Sequence, residues 1–276
     1  MPFTPAHAVV ALPFVRTPLL PAAIAVGAMA PDLPLFVGGA VLTYQVTHTN
    51  VLVTSLVALL LLSLWYLLLR PAVRELSPAW IAERLPSEWD VTGAAVWTIV
   101  RTSPRGSRSR IWREDSVVFS AILAVSLTLG VLSHVLWDAF THEGRWGVLL
   151  VPALTDQWGP LLGYRWLQYG SGVVGLTIIA VFALVWMRRR SPAPTVRVLP
   201  PWVRPLWWLS LPVTLGAAWA GGLVAFGPIN DTFTYQHLAY RVLPPACAVW
   251  GALTLLLCIG IIVRRRVVAA AADVVG

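Results

Sequence analysis

Residues 116–142 read SVVFSAILAVSLTLGVLSHVLWDAFTH, an apolar run that ends in three ionisable side chains. His134, Asp138 and His142 are spaced four residues apart, so on an α-helix they lie along one stripe. Histidine and aspartate are metal-ligand and acid–base residue types. Ionisable groups inside a membrane helix are costly and usually mark a functional site. This stretch therefore predicts a transmembrane helix with a site towards its end.

The composition of the whole chain is typical of a polytopic membrane protein. Of the 276 residues, 58% are hydrophobic and 12% are charged, whereas soluble domains contain about 25% charged residues. The mean hydropathy is +0.74. The net charge of +8 comes from 20 arginines and no lysine. Because the arginines cluster between apolar runs, they indicate membrane topology and a lipid-bilayer partner, and we expect no nucleic-acid partner.

The apolar runs predict an all-α polytopic membrane protein with about five transmembrane helices. The expected spans are residues 51–69, 116–137, 166–187, 205–227 and 242–263. Two earlier helices, from about Pro5 with a break near Pro13 and from about Pro18 to Ala30, are too short to span a bilayer. We expect them to form a re-entrant or half-depth helical hairpin that brings His7 near Asp32.

The distribution of arginine predicts the orientation. The segments after the first, third and fifth spans hold eight, five and three arginines, so we expect them to be cytoplasmic. The C-terminus then lies in the cytoplasm and the hairpin opens outward, across the inner membrane of a bacterial cell. We expect residues 1–190 to form a membrane domain that carries the His/Asp residues, and residues 191–276 to add two helices and a basic tail.

The cytoplasmic loop at residues 70–115 has its own local signals. Ser77-Pro78 predicts the start of a short amphipathic helix on the membrane surface. Residues 103–110 read SPRGSRSR, which predicts a flexible basic loop.

Three further residues are expected to reach the same outward-facing cavity as His134 and Asp138. These residues are His7, Asp32, which follows Pro31, and His48, which precedes the first span. The alternative is a polar network that only holds the helices together. We expect His237 to be an ordinary outer-loop residue. Asp156 and Gln168 are candidates for substrate contact or for support of the site.

The stripe on the second span limits how one metal ion can be bound. On a straight helix His134 and His142 lie about 12 Å apart, so we do not expect all three residues to bind a single ion. Either two metals share Asp138, or one outer residue supports the ligands or acts as a general base. The sequence contains no P-loop, no GxGxxG, no His-Glu-x-x-His and no Gly-x-Ser-x-Gly motif.

Four segments together carry a family resemblance: PFTPAH at 2–7, MAPDLP at 29–34, Thr47-His48 and SHVLWDAFTH at 133–142. They resemble the DUF4184 family of bacterial membrane proteins over most of residues 1–190. More distantly, the pattern resembles the YdjM-like inner-membrane family, named as metal-dependent hydrolases, which is in turn similar to zinc-dependent phospholipase C. The chain differs from phospholipase C because it is membrane-embedded and lacks the further His/Glu ligand helix.

The resemblance implies a hydrolase that uses a divalent metal, with zinc as the expected ion. The implied metal ligands are His7, Asp32, His48, His134 and Asp138. Together with the residue analysis, this predicts a membrane-embedded metal-dependent hydrolase acting on a lipid or lipid-linked ester or phosphoester, with Asp138 and His142 as catalytic groups. The alternative is a non-enzymatic membrane protein, such as a transporter, a metal-binding protein or a scaffold, that uses the same polar cluster. The sequence does not determine the oligomeric state.

Overall fold

The computed structural model of the chain describes residues 4–38, 41–93, 95–102 and 116–275. Within these residues the α-helices, numbered in chain order, are α1 Pro21–Met29, α2 Tyr44–Thr49, α3 Val51–Leu64, α4 Arg70–Leu76, α5 Ala79–Ala82, α6 Ala95–Thr102, α7 Ser116–Thr141, α8 Trp146–Leu150, α9 Gly163–Arg188, α10 Val203–Phe226 and α11 Tyr235–Val275.

Tighter and wider helical turns and one small hairpin complete the described elements. The 3₁₀ helices are Thr4–Arg16, Ala30–Leu35, Ser87–Asp90 and Pro152–Thr155. A π-helical turn, Trp65–Leu69, joins α3 to α4. The antiparallel strands β1 Gln157–Trp158 and β2 Leu161–Leu162 precede α9.

Five helices of the described chain are long and apolar enough to cross a membrane. They are Val51–Leu76, Ser116–Thr141, Gly163–Arg188, Val203–Phe226 and Tyr235–Ala271. They confirm the predicted all-α polytopic membrane fold. The first span continues past residue 69 because Arg70, Arg74 and Glu75 are buried against other parts of the protein and are not left in lipid.

The N-terminal hairpin packs the 3₁₀ helix Thr4–Arg16 against α1. The expected break near Pro13 is wrong, because Pro13 lies inside the 3₁₀ helix. The proline ring fixes φ near −65°, which a 3₁₀ helix accepts. The chain turns at Thr17, whose N–H donates to the carbonyl of Phe14 at 3.1 Å. The expected stop of the second helix is confirmed, since α1 ends at Met29 and continues as the 3₁₀ turn that carries Asp32.

Close packing between α1 and α7 places the hairpin against the second span. A side chain at Gly27 would collide with the carbonyl oxygen of Leu127, and one at Gly130 would collide with that of Ile24. Glycine at both positions therefore lets the two backbones approach closely, as in other membrane helix pairs. At the start of α1 the N–H of Leu20 donates to the hydroxyl of Ser126 at 3.0 Å, which satisfies a helix-end donor.

The chain forms two compact units. The first contains residues 1–34, 39–63 and 97–189, and the second contains residues 35–38, 64–96 and 190–276. In the second unit the predicted helix after Ser77-Pro78 begins as expected but is only the four residues of α5. At and beyond its end, the carbonyls of Ala82, Leu85 and Pro86 accept from the Arg74 guanidinium. The basic segment 103–110 lies outside the described residues.

Candidate metal centre

The candidate site residues come from several separate local elements. His7 lies on the 3₁₀ helix Thr4–Arg16, and Asp32 lies on the 3₁₀ turn after α1. His48 is in the last turn of α2, and His134 and Asp138 share one face of α7. His142 follows the last residue of α7. All six predicted residues belong to the first unit.

Four of these side chains converge on one point. Ligand atoms of Asp32, His48, His134 and Asp138 all lie within 4.8 Å of one another, and all four residues are buried. The Nε2 atom of His134 is 3.3 Å from Asp138 Oδ2 and 3.7 Å from Asp32 Oδ1. Two imidazole nitrogens and two carboxylates form a donor set that suits a divalent metal ion such as zinc.

The outer nitrogens of two imidazoles are held by backbone carbonyls. His134 Nδ1 lies 2.7 Å from the carbonyl oxygen of Ala28, and His48 Nδ1 lies 2.8 Å from that of Tyr44. A carbonyl can only accept, so each Nδ1 carries the proton and donates. In the neutral rings, Nε2 then presents its lone pair to the cluster. Metal-bound histidines commonly show this arrangement, which fixes the tautomer and the ring orientation.

Unpartnered polar atoms in the cluster fit a bound cation. Among the described residues, His7 Nε2, Asp32 Oδ1, His48 Nε2, His134 Nε2 and Asp138 Oδ1 are buried and lack a hydrogen-bond partner. Buried acceptors without donors cost free energy, roughly 1–3 kcal/mol each for neutral groups and more for charged ones. A cation at the cluster would satisfy the atoms of Asp32, His48, His134 and Asp138 together, so these residues fit the metal that the sequence predicts.

His7 borders the cluster from the hairpin side. Its Nε2 is 3.7 Å from Asp138 Oδ1, and its ring centroid is 4.0 Å from that of His134. His7 lies outside the five spans, and burial lowers its pKa to about 3, so its imidazole is neutral at physiological pH. The hairpin thus places His7 beside Asp138 and His134.

Neighbouring hydroxyls hold the carboxylates and their segments. The Thr4 hydroxyl donates to Asp32 Oδ2 at 2.6 Å, and the Thr47 hydroxyl donates to the carbonyl of Pro31 at 2.7 Å. The Tyr44 hydroxyl donates to Asp138 Oδ2 at 3.4 Å, and its ring stacks on His48 with centroids 3.8 Å apart. Sequence analysis missed Tyr44. Its position four residues before His48, on the same helical face, is the signal that identifies it.

His142 lies beside the four-residue cluster and outside it. Its Nδ1 is 3.5 Å from Asp138 Oδ2, and its Nε2 is 3.2 Å from the Gln168 amide nitrogen. Gln168 is therefore in contact with a predicted site residue. Asp156 is exposed, and its backbone carbonyl accepts from Gly163 in the turn before α9. His237 is exposed and its Nδ1 is 3.0 Å from the Thr234 hydroxyl.

Comparison with known protein families matches residues 1–219 to a family described as "Domain of unknown function (DUF4184)". No curated protein and no solved structure matches the chain. The family match covers most of the chain, including every element that contributes to the metal centre. The chain belongs to the DUF4184 family.

Proposed function

We propose that this member of the DUF4184 family is a membrane-embedded metal-dependent hydrolase acting on a lipid or a lipid-linked ester or phosphoester. The observation that carries the proposal is the convergence of buried, unpartnered atoms from Asp32, His48, His134 and Asp138. Four ionisable side chains in a membrane protein are costly without a ligand, so their convergence supports a resident divalent cation, with zinc as the proposed ion.

The residues around the ion have distinct proposed roles. Asp32, His48, His134 and Asp138 would hold it, with His7 as a further ligand on the hairpin side. A divalent cation there would supply Lewis-acid chemistry, activating water and stabilising developing negative charge. His142 would accept a proton at Nε2, the atom that Gln168 contacts, while its Nδ1–H donates to the backbone carbonyl of Asp138 at 3.3 Å.

Two features favour catalysis over a closed structural site. The His142 side chain keeps 19% of its surface exposed beside the buried Asp138. His7 also lines a cavity of about 420 Å³ between the hairpin, α7 and α9. A catalytic metal site needs access for water and substrate, which a structural site does not. The membrane setting and the apolar walls of the cavity support a lipid-like substrate.

The orientation remains part of the proposal. Arginine is concentrated after the first, third and fifth spans, which favours a cytoplasmic C-terminus and a metal centre on the outer side of the inner membrane. An alkaline phosphatase reporter fused after Arg266 should be inactive in cells, and a green fluorescent protein fusion at the same place should fluoresce. The opposite pair of results would reverse the orientation.

The second candidate is a metal-binding or transport protein without hydrolase activity. The observation in its favour is that the described cluster already offers four protein ligands, the number typical of structural zinc sites. The same polar residues would then bind or relay an ion across the bundle.

Metal analysis of the purified protein tests both candidates. Wild type and the exposed-site control Asp231→Asn should retain zinc through dialysis, whereas Asp138→Asn should lose it, as measured by inductively coupled plasma mass spectrometry. Equal, substoichiometric metal in all three proteins would overturn the metal centre. Hydrolysis of acyl-ester and phosphoester lipids should then require the metal and be lost in a chelator. Full zinc occupancy without hydrolysis of any lipid would favour the second candidate.

A further inference from the structure

The cavity next to His7 has walls that suit a hydrocarbon. It lies between the N-terminal 3₁₀ helix, α7 and α9, and its apolar lining includes Val10, Leu136, Val174 and Ile178. Two serines also line it, but both are already hydrogen-bonded. Ser133 donates to the carbonyl of Gly130 at 2.7 Å, and Ser171 accepts from the Trp137 indole at 3.1 Å. The walls therefore offer few free hydrogen-bonding groups to a polar ligand.

The polar end of the cavity is His7. Among the described residues that line the cavity, His7 carries a buried ring nitrogen, Nε2, that has no hydrogen-bond partner. This nitrogen lies 3.7 Å from Asp138 Oδ1. The cavity thus ends at the metal centre. A ligand that fills it would be apolar along its length and polar at the end that meets His7.

The other end of the cavity opens on the surface that faces lipid. Leu136, Val174 and Ile178 remain 55%, 57% and 45% exposed, and all three lie on spanning helices. Exposed apolar side chains on a membrane span are in contact with acyl chains. The opening is therefore continuous with the hydrocarbon of the bilayer.

We propose that this cavity binds a single alkyl chain that enters sideways from the bilayer, with the polar end of the chain at His7. This inference rests on the proposed hydrolase function, and it places the bond to be cleaved at the polar end of the alkyl chain, next to His7. The substrate class is then an amphiphile in which a fatty-acyl or alkyl group is joined directly to the cleaved ester. A partner transmembrane helix is the competing occupant, and it is an outcome of the test.

Photolabelling in lipid nanodiscs tests the chain site without requiring catalysis or metal. The probe is palmitic acid bearing a terminal diazirine, and labelled peptides are mapped by mass spectrometry. Labelling should concentrate on the segments around Val10 and Val174–Ile178. Val174→Trp, which fills the cavity, should lower this labelling by about tenfold, equivalent to about 1.4 kcal/mol of binding. The matched control is Val173→Trp, which lies one residue away, is exposed and does not line the cavity.

Three outcomes would overturn the chain site. They are even labelling of all lipid-facing helices, equal effects of the two tryptophan variants, and protection of the cavity by a co-purified protein helix. Ile178→Phe provides a second filling variant if Val174→Trp fails to fold. Labelling should persist after metal is removed with a chelator, because the apolar side chains that would hold the alkyl chain do not bind metal. Labelling of a protein that, as purified and before any chelator is added, holds less than stoichiometric zinc would therefore refute the metal centre and leave the chain site standing.

Discussion

His134 Nδ1 donates to the carbonyl oxygen of Ala28 at 2.7 Å, joining the second span to the hairpin across 106 residues of sequence. One contact thereby performs two tasks. It orients the imidazole so that Nε2 faces the cluster, and it satisfies a carbonyl near the end of α1. The geometry of the candidate metal centre consequently depends on how closely α1 and α7 pack.

The α1–α7 contact should be sensitive to a single methyl group. Gly130→Ala would place a carbon against the carbonyl of Ile24 and the N–H of Ala28. We expect a loss of about 1–3 kcal/mol in stability, together with weaker metal binding because Ala28 moves away from His134. Thermal unfolding in detergent and metal analysis measure the two effects.

The control for that substitution is Gly170→Ala on α9, where an added carbon meets no atom within 4 Å among the described residues. It should leave unfolding temperature and metal content unchanged. Equal behaviour of the two alanine variants would contradict the close-packing account.

Removing the Thr4 hydroxyl should weaken metal binding without removing a ligand. Thr4→Val takes away the 2.6 Å hydrogen bond to Asp32 Oδ2. Partners that orient metal ligands typically contribute about 10–100-fold to affinity, and we expect a decrease in that range in a competition titration with a zinc chelator. Thr177→Val, which removes a hydroxyl bonded to the carbonyl of Val173 on its own helix, is the matched control. An unchanged affinity in Thr4→Val would contradict a role for Thr4 in orienting Asp32 as a ligand.

Tyr44 should act through both its ring and its hydroxyl. Tyr44→Phe loses the contact with Asp138 and keeps the stack on His48, whereas Tyr44→Ala loses both. We expect zinc affinity to fall slightly in the first variant and further in the second, because the stack holds the His48 ring in place. Chelator competition gives both values, and a larger loss in Tyr44→Phe than in Tyr44→Ala would refute this order.

His142 should be separable from metal binding. It lies outside the four-residue cluster but touches Asp138 and Gln168. His142→Asn should therefore keep its zinc while losing lipid hydrolysis, and His134→Asn should lose both. Metal content and turnover are measured on the same preparations. Zinc loss in His142→Asn would instead make His142 a ligand.

Glu75 should determine the stability of the second unit. Its side chain is 1% exposed, accepts from the N–H groups of Val198 and Leu199 at 3.1 Å, and lies 3.7 Å from Arg265. Breaking such a buried charge pair costs about 3–5 kcal/mol, so Glu75→Gln should lower the unfolding temperature well below that of the exposed-site control Glu88→Gln. Equal unfolding temperatures for Glu75→Gln and Glu88→Gln would contradict a stabilising role for the buried Glu75 carboxylate.

The sequence predicts the spans and much of the candidate site because both depend on local pattern. Apolar length sets the helices, and four-residue spacing places His134 and Asp138 on one face. Contacts that depend on tertiary packing are harder to predict. Tyr44 meets Asp138 only after α2 folds against α7, and Arg70 and Arg74 extend the first span only because distant carbonyls accept from them. Pro13 does not break the chain because residues 4–16 adopt a 3₁₀ helix, which tolerates proline, whereas the sequence predicts an α-helix.

The order of the cluster residues along the chain bears on biogenesis. Asp32 and His48 leave the ribosome well before His134 and Asp138, and they contribute only half of the donor set. An inverted α7 would carry its two ligands to the opposite membrane face, leaving all four without an ion. Binding of one metal ion by all four residues would therefore require the second span to insert in the direction that brings α7 beside α1.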